Sequence, residues 1–169
     1  LACCFVLTSA AQKTIDTIAT KVDGYDIPIR IKLPKKATGK SPVYFFVHGG
    51  GWNGGDLTQI PPARMHIDAN YLAVQLGVIY VGLAYRCKGN SATFSDAIKD
   101  LEASVQWFFD NADTYNADLT RIGFGGASAG STLAAVMAQK YKNCKLLVGA
   151  EGMYNLVEHS EERSTFPSE

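Results

Sequence analysis

The chain has 169 residues, 47% of them hydrophobic, and its 16 basic residues are balanced by 16 acidic ones. That composition is typical of a globular protein with one buried core. Because the net charge is zero and no run of Lys and Arg is present, the sequence argues against nucleic acid as a partner. Beyond the first residues, no apolar stretch approaches the length needed to span a membrane.

Residues 1–11 (LACCFVLTSAA) resemble the tail of a secretory signal peptide. They are almost wholly apolar and uncharged, and small residues before Gln12 stand at the spacing that a signal peptidase reads. We therefore expect an exported protein, periplasmic or secreted, whose mature chain begins at about Ala11 or Gln12. The alternatives are an apolar first strand of the mature domain or, as a poorer fit, a lipid-modified Cys3.

A hairpin is predicted next. Residues 27–33 alternate apolar side chains with other residues, which is the period of a half-buried strand. Asp23-Gly24 just before it is a hairpin signal, so residues 14–22 are predicted to pair with this strand. The polar turn from Pro34 to Pro42 ends the hairpin.

Strands and helices then alternate along the chain. Short apolar runs typical of strands buried on both faces occur at 43–47, 78–84, 121–124 and 146–150. Helical patterns cover residues 63–76, 94–109 and 129–141, and Thr93 with Asp96 has the form of a capping box. This alternation predicts an α/β fold, a mostly parallel sheet with helices on both faces.

The segment Gly126-Ala-Ser128-Ala-Gly130 has the pattern G-x-S-x-G. It directly follows a predicted strand and opens a predicted helix, which is the context that a nucleophile elbow requires. A serine on so sharp a turn needs very small neighbours, and here they are Gly and Ala. The helix N-terminus behind the serine favours developing negative charge.

A second motif, residues 48–52 (HGGGW), follows the buried strand 43–47. Acyl transfer places negative charge on a carbonyl oxygen, and backbone N–H groups must converge on that oxygen. A run of glycines supplies N–H groups without obstructing side chains, and an HGGG-type loop forms one side of the oxyanion hole in lipases and esterases.

Residues 49–54 also fit G-x-G-x-x-G, the dinucleotide-binding pattern. However, Gly55 and Pro61-Pro62 stand where a helix should open, and no acidic residue ends the next predicted strand. We therefore reject nucleotide binding.

With both motifs present, the chain resembles the α/β-hydrolase superfamily. Within that superfamily it resembles the HGGGW-bearing esterases related to hormone-sensitive lipase and to bacterial carbohydrate esterases. The stretches that carry the resemblance are HGGGWNGGD (48–56), Tyr85-Arg86, FSDAIKD (94–100) and DLTRIGFGGASAGS (118–131). The resemblance implies that residues 12–169 are the N-terminal part of one α/β-hydrolase domain.

The resemblance also implies a role for each matched residue. Ser128 would be the nucleophile, and the backbone N–H groups of Gly50, Gly51 and Ala129 would form the oxyanion hole. His48 would brace the glycine loop, Trp52 would line the floor or rim of the pocket, and residues 118–121 would form the loop before the nucleophile strand. The motif residues expected to support this arrangement are His48, Gly49, Trp52, Gly126 and Gly130. Ser131 departs from the pattern, because many relatives carry Gly there.

A serine nucleophile needs a base and an orienting acid, which in this superfamily follow the serine in later parts of the chain. His159 comes too early for the base and is expected on the surface, and His66 is expected to be structural. Glu151 ends a strand that normally precedes the acid-bearing one. We therefore expect the triad acid and histidine outside the chain, and expect residues 1–169 alone to be inactive and prone to aggregate.

The predicted function is hydrolysis of a carboxylic ester through an acyl-serine intermediate. Family analogy favours a carbohydrate esterase that removes acetyl or feruloyl groups, so the expected partner is a small or polysaccharide-linked ester. The alternatives are a serine peptidase of the prolyl-oligopeptidase type and a non-catalytic binding protein of the same fold. No cofactor or metal is expected.

Outside the leader, Cys87 and Cys144 are too few for a disulfide framework or a zinc site. The predicted fold places them near different, non-adjacent strands, so we expect two small buried residues that do not pair.

Overall fold

The computed structural model describes residues 13–57 and 69–154. The described chain begins with the predicted hairpin, β1 (Thr14–Val22) paired antiparallel with β2 (Tyr25–Lys32). Asp23 and Gly24 form its two-residue turn with φ values of 49° and 87°. Positive φ at both positions matches the right-handed twist of the strands, which is why Asp-Gly predicts this hairpin correctly.

Four further strands complete the sheet in the described part of the chain. They are β3 (Ser41–Val47), β4 (Ile79–Leu83), β5 (Ala117–Ala127) and β6 (Cys144–Ala150). The strand order is β1-β2-β4-β3-β5-β6, and the pairs among β4, β3, β5 and β6 are all parallel. The mostly parallel sheet of the predicted α/β fold is confirmed.

The helices are α1 (Ala69–Val74), α2 (Phe94–Asp110) and α3 (Ala129–Lys140). Strand β3 shows that both faces of the sheet are covered. Its residues Val43, Phe45 and Val47 belong to the large core cluster with α2 and α3. Tyr44 and Phe46 point to the other face, into a smaller cluster with α1.

Helix α2 begins at the predicted capping box. The Thr93 hydroxyl accepts the Asp96 N–H at 3.2 Å, and the Asp96 carboxylate accepts the Thr93 N–H at 2.9 Å. The Thr93 hydroxyl also donates to this carboxylate at 2.8 Å. The bond from the Thr93 N–H, and after it the bond from the Thr93 hydroxyl, lower the pKa of Asp96 to about 2.

Several predicted boundaries were wrong. Residues 118–121, predicted as a loop, lie within β5, because their backbone stays extended through an irregularity in the pairing with β3. The helix predicted at 63–76 corresponds to α1 and ends at Val74, shortly before Gly77, whose φ is 67°. Residues 63–68 of that prediction lie outside the described residues. So do residues 1–11, the predicted signal peptide.

Cys87 is buried and Cys144 only half-buried, because Cys144 begins the outermost strand of the described sheet. Burial of Cys144 was therefore predicted wrongly. Both cysteines are free; Cys87 lies after β4 and Cys144 begins β6, and these strands are not adjacent, as predicted.

Candidate active site

Ser128 lies on a sharp turn between β5 and α3. Its φ of 53° and ψ of −125° depart from every ordinary conformation of an L-residue, and such strain costs about 1–3 kcal/mol. The Ser128 N–H donates to the carbonyl of Ala150 at 2.7 Å, and the Ser128 carbonyl accepts the N–H of Ser131 at 2.8 Å. The side chain is exposed at the N-terminus of α3.

The small residues of the elbow allow three backbone segments to meet. A Cβ atom built on Gly126 would lie 2.7 Å from the Ser131 nitrogen, and one on Gly130 would lie 2.7 Å from the carbonyl carbon of His48. Real Cβ atoms do not approach backbone so closely, so any side chain there would push α3 away from β5 or β3. The sequence pattern is therefore explained by close backbone packing.

The structure brings the glycine loop against this elbow. A Cβ built on Gly49 would lie 2.8 Å from the Ala127 carbonyl oxygen and 3.5 Å from the Cβ of Ser128. The two motifs meet because β3 and β5 are parallel neighbours, so the segments after both strands lie at the same edge of the sheet.

The loop then turns back on itself. Gly50 has a φ of 121° and Gly51 one of 57°, and the Gly50 carbonyl accepts the Asn53 N–H at 3.0 Å. Within the described residues, no backbone carbonyl accepts the N–H of Gly50 or Gly51. The N–H of Ala129, at the first position of α3, has no acceptor within its own helix. Three candidate donors thus lie in segments that adjoin Ser128.

His48 is buried beneath the loop, with 2% of its surface exposed. Its Nδ1 lies 2.7 Å from the Gly49 carbonyl, which can only accept, so Nδ1 carries the hydrogen. One face of the ring stacks on Tyr85, with centroids 4.4 Å apart, and the Gly55 backbone closely covers the ring. Burial lowers the pKa of His48, although the Gly49 carbonyl and Asp56 oppose this shift. A neutral, enclosed imidazole is suited to bracing the loop.

Trp52 is 2% exposed and belongs to the large core cluster. Its ring packs edge-on against Phe94 with centroids 6.5 Å apart, and its carbonyl accepts the Lys88 N–H at 2.7 Å. The turn at residues 50–54 directs the indole into the core, and the expected place of Trp52 on the floor or rim of the pocket stays a prediction.

A buried ion pair beside His48 was not predicted from the sequence. Arg86 follows Tyr85, and its backbone N–H and guanidinium donate to both carboxylate oxygens of Asp100 at 2.8–3.1 Å. The Arg86 Nη2 also donates to Asp23 at 3.1 Å. The hydrogen bonds with Asp100 are the main cause that raises the pKa of Arg86. The signal available in the sequence was Asp100, an acidic residue on the buried face of α2, which needs a partner there.

A cleft of about 490 Å³ opens beside this network, between the hairpin turn, residues 55–57 and the end of β4. Gly55 and Tyr85 line the cleft and also contact the His48 ring. Ser128 is not among the residues that line it.

The expected triad partners remain unassigned. His66 and His159 lie outside the described residues, and Glu151 is exposed at the end of β6 with a φ of 58°. Within residues 13–57 and 69–154, no side chain hydrogen-bonds to the Ser128 hydroxyl. In the same ranges, no group of three His, Cys, Asp or Glu side chains is arranged to hold a metal ion, and no helix is long and apolar enough to cross a membrane.

A serine elbow that faces a glycine loop at the carboxyl edge of a mostly parallel sheet defines the α/β-hydrolase class. The chain belongs to the BD-FAE family of that class, whose model matches residues 29–165. The class and the esterase family resemblance predicted from the sequence are confirmed.

Relatives that the chain matches include esterases and deacetylases. Carboxylesterase NlhH of Mycobacterium tuberculosis is 37% identical over 115 residues, 68% of this chain and 34% of the relative. Arylacetamide deacetylase of Bos taurus is 34% identical over 119 residues, 68% of this chain and 29% of the relative. The chain thus spans about a third of the length of these curated relatives.

Solved structures of esterases share the fold. Thermogutta terrifontis esterase 2, phosphonylated by cyclosarin, superposes with a TM-score of 0.75 at 19% identity, over 92% of this chain and 62% of that chain. A bacterial heroin esterase superposes with a TM-score of 0.63 at 27% identity, over 77% of this chain and 39% of that chain.

Proposed function

We propose that the protein hydrolyses carboxylic esters through an acyl-serine intermediate on Ser128. The observation that carries the proposal is the position of Gly49, which seats the glycine loop directly against the Ser128 elbow. That contact brings an exposed hydroxyl and a set of backbone donors to one edge of the sheet. An attacking oxygen and N–H groups for the resulting oxyanion are the two parts that acyl transfer needs at one point.

In the proposed reaction, the Ser128 oxygen attacks the ester carbonyl carbon and gives its proton to a base. The negative charge on the carbonyl oxygen is stabilised by the N–H groups of Gly50, Gly51 and Ala129. The intermediate expels the alcohol, which takes up the proton, and leaves an acyl-serine. Water then attacks the acyl carbon by the same steps and releases the carboxylic acid. We propose that the base and its acid come from outside the described residues.

Hydrolysis of p-nitrophenyl acetate by the full-length protein tests this proposal. Ser128→Ala should reduce turnover by about a millionfold, the scale observed when a serine nucleophile is removed. Ser95→Ala, which changes an exposed serine on α2, is the matched control and should leave turnover unchanged. Turnover that survives Ser128→Ala would contradict the nucleophile assignment, and a full-length protein that never reacts would favour a non-catalytic binding protein.

For the substrate, we propose an acetyl or feruloyl ester carried on a polysaccharide. The support is the HGGGW loop, with its likeness to carbohydrate esterases, and the signal-like residues 1–11, which fit an enzyme that meets extracellular polymers. Release of acetate or ferulate from acetylated or feruloylated xylan is the expected result. Activity confined to short synthetic esters, or cleavage of prolyl peptides, would contradict this choice.

We also propose that the protein is exported, on the strength of the apolar stretch that ends in small residues before Lys13. N-terminal sequencing of the protein from its native host should find a start at about Ala11 or Gln12. A soluble cytoplasmic product that retains residues 1–10 would contradict export.

A further inference from the structure

The chain that leaves β6 returns to the first turn of α3, the helix that begins behind Ser128. Glu151 has a φ of 58°, which redirects the backbone at the end of the strand. Gly152 follows in a crowded position, since a Cβ there would lie 2.7 Å from the Tyr154 ring and 2.8 Å from the Ser131 side chain. Residues 151–154, here named the β6 exit, therefore lie directly on α3.

Three hydrogen bonds fasten the β6 exit to the helix. The hydroxyl oxygens of Tyr154 and Ser131 are 2.6 Å apart. The Thr132 hydroxyl donates to the Met153 carbonyl at 2.8 Å and accepts the Met153 N–H at 3.0 Å. Ser131 and Thr132 are buried, so the loss of a partner would leave a buried hydroxyl unsatisfied.

The same turn of helix holds the backbone of Ser128. The Ser131 N–H donates to the Ser128 carbonyl at 2.8 Å, and the Ser128 N–H donates to the Ala150 carbonyl at 2.7 Å. Ala150 in turn leads into the β6 exit, which ends at Tyr154. A closed ring of contacts thus runs from Ser128 through Ala150 to Tyr154, and back through Ser131. A strained conformation such as that of Ser128 persists only when its surroundings fix it in this way.

We propose that Tyr154 is a positioning residue for Ser128, because its hydrogen bond to Ser131 closes the ring that holds the strained elbow. This inference rests on the proposed function of Ser128 as the nucleophile. Its effect passes through Ser131 and the backbone. Tyr154 is 62% exposed, so its ring adds little to the core, and removal of its hydroxyl should lower global stability only by the cost of the Ser131 hydroxyl left without a partner.

The experiment compares Tyr154→Phe, Ser131→Ala and the double variant in the full-length protein. Each single variant should lower kcat for p-nitrophenyl acetate about two- to tenfold with KM unchanged, the range for one lost hydrogen bond. The double variant should be no slower than the slower single variant, because both substitutions remove the same contact. Tyr71→Phe, which changes a tyrosine on α1 that is 52% exposed, is the matched control and should leave kcat unchanged.

Amide hydrogen exchange supplies a readout that does not depend on activity. The peptide that contains residues 128–132 should exchange faster in all three variants. The urea unfolding midpoint of the double variant, in which neither hydroxyl is left without a partner, should stay at the wild-type value. Unchanged kcat and exchange in Tyr154→Phe would overturn the proposal, and so would kcat losses that multiply in the double variant or a lowered unfolding midpoint in that variant. A wild-type protein without esterase activity would contradict the proposed function instead, and the exchange result would still decide whether Tyr154 holds the elbow.

Discussion

Ser128 lies between two regions that are held in different ways. On the glycine-loop side, His48 stacks on Tyr85, and the adjacent Arg86 forms a buried bidentate pair with Asp100. These groups are 0–8% exposed, so the shape of the loop is fixed by packing and by charges that are largely withdrawn from water.

On the β6 side, by contrast, the proposed nucleophile depends on a short ring of hydrogen bonds between neutral groups, which runs through Ala150, Tyr154 and Ser131. Substitutions that break the buried anchor of the glycine loop should therefore affect the whole fold, whereas substitutions at the β6 exit should affect mainly the reaction. Effects on stability and effects on the reaction can therefore be measured separately at the two sides of the candidate site.

The largest expected effect on stability breaks the buried pair. Asp100→Ala leaves the Arg86 guanidinium buried without its main partner and should lower the free energy of unfolding by about 3–5 kcal/mol. Urea unfolding measures this loss. Asp113→Ala removes the exposed pair with Lys40 and should leave the free energy of unfolding nearly unchanged. Equal losses in the two variants would contradict the claim that burial anchors the glycine-loop side.

A second substitution tests the loop without touching its anchor. Gly51→Val places a β-branched residue at a φ of 57° and should lower kcat about a hundredfold or more, the scale of one lost oxyanion donor. Because these donors act mainly on the transition state, KM should change much less. The same substitution at Gly50 should act alike.

Gly54→Ala is the matched control for these loop variants, since a Cβ there meets nothing within 4 Å. It should keep near-normal turnover. Near-normal turnover in Gly51→Val as well would show that the loop does not supply the oxyanion hole.

The smallest effect concerns the cap of α2, the helix that carries Asp100. The pKa of Asp96 is lowered from 3.8 to about 2, chiefly by the Thr93 N–H. A carboxyl with a lowered pKa stabilises the fold above its unfolded pKa, and that stabilisation is lost as pH falls from about 4 through about 2. Asp96→Asn should therefore cost about 0.3–1 kcal/mol at pH 6, and the difference from wild type should shrink towards pH 2.

Asp110→Asn is the control for the cap, because Asp110 ends α2, where a negative charge is unfavourable. That substitution should not destabilise the protein at pH 6. A loss equal to that of Asp96→Asn would mean that the helix dipole and cap are not the cause.

The sequence predicted those features that local chemistry determines. The Asp23-Gly24 turn, the Thr93 cap and the Ser128 elbow each depend on residues adjacent in sequence, and each was found where predicted. The burial of Trp52 could not be predicted in this way, because the direction of its side chain depends on Phe94, which lies far along the chain. Residues 118–121 were expected as a loop from the family resemblance, although their backbone continues the strand.

Contacts between distant segments were the features that sequence could not give. Nothing in the local pattern pairs Arg86 with Asp100, or Ser131 with Tyr154, since each pair meets only after the sheet has formed. Ser131 was noted only as a departure from the family pattern, whereas the structure gives its hydroxyl a partner.

Covalent labelling tests the central claim, a reactive Ser128 beside an oxyanion-binding loop, most directly. The full-length protein would be treated with a fluorophosphonate probe, digested, and its peptides identified by mass spectrometry. The account predicts a single adduct on Ser128, absent in Ser128→Ala and formed much more slowly in Gly51→Val. An adduct on another residue, or equal labelling in Gly51→Val, would contradict it.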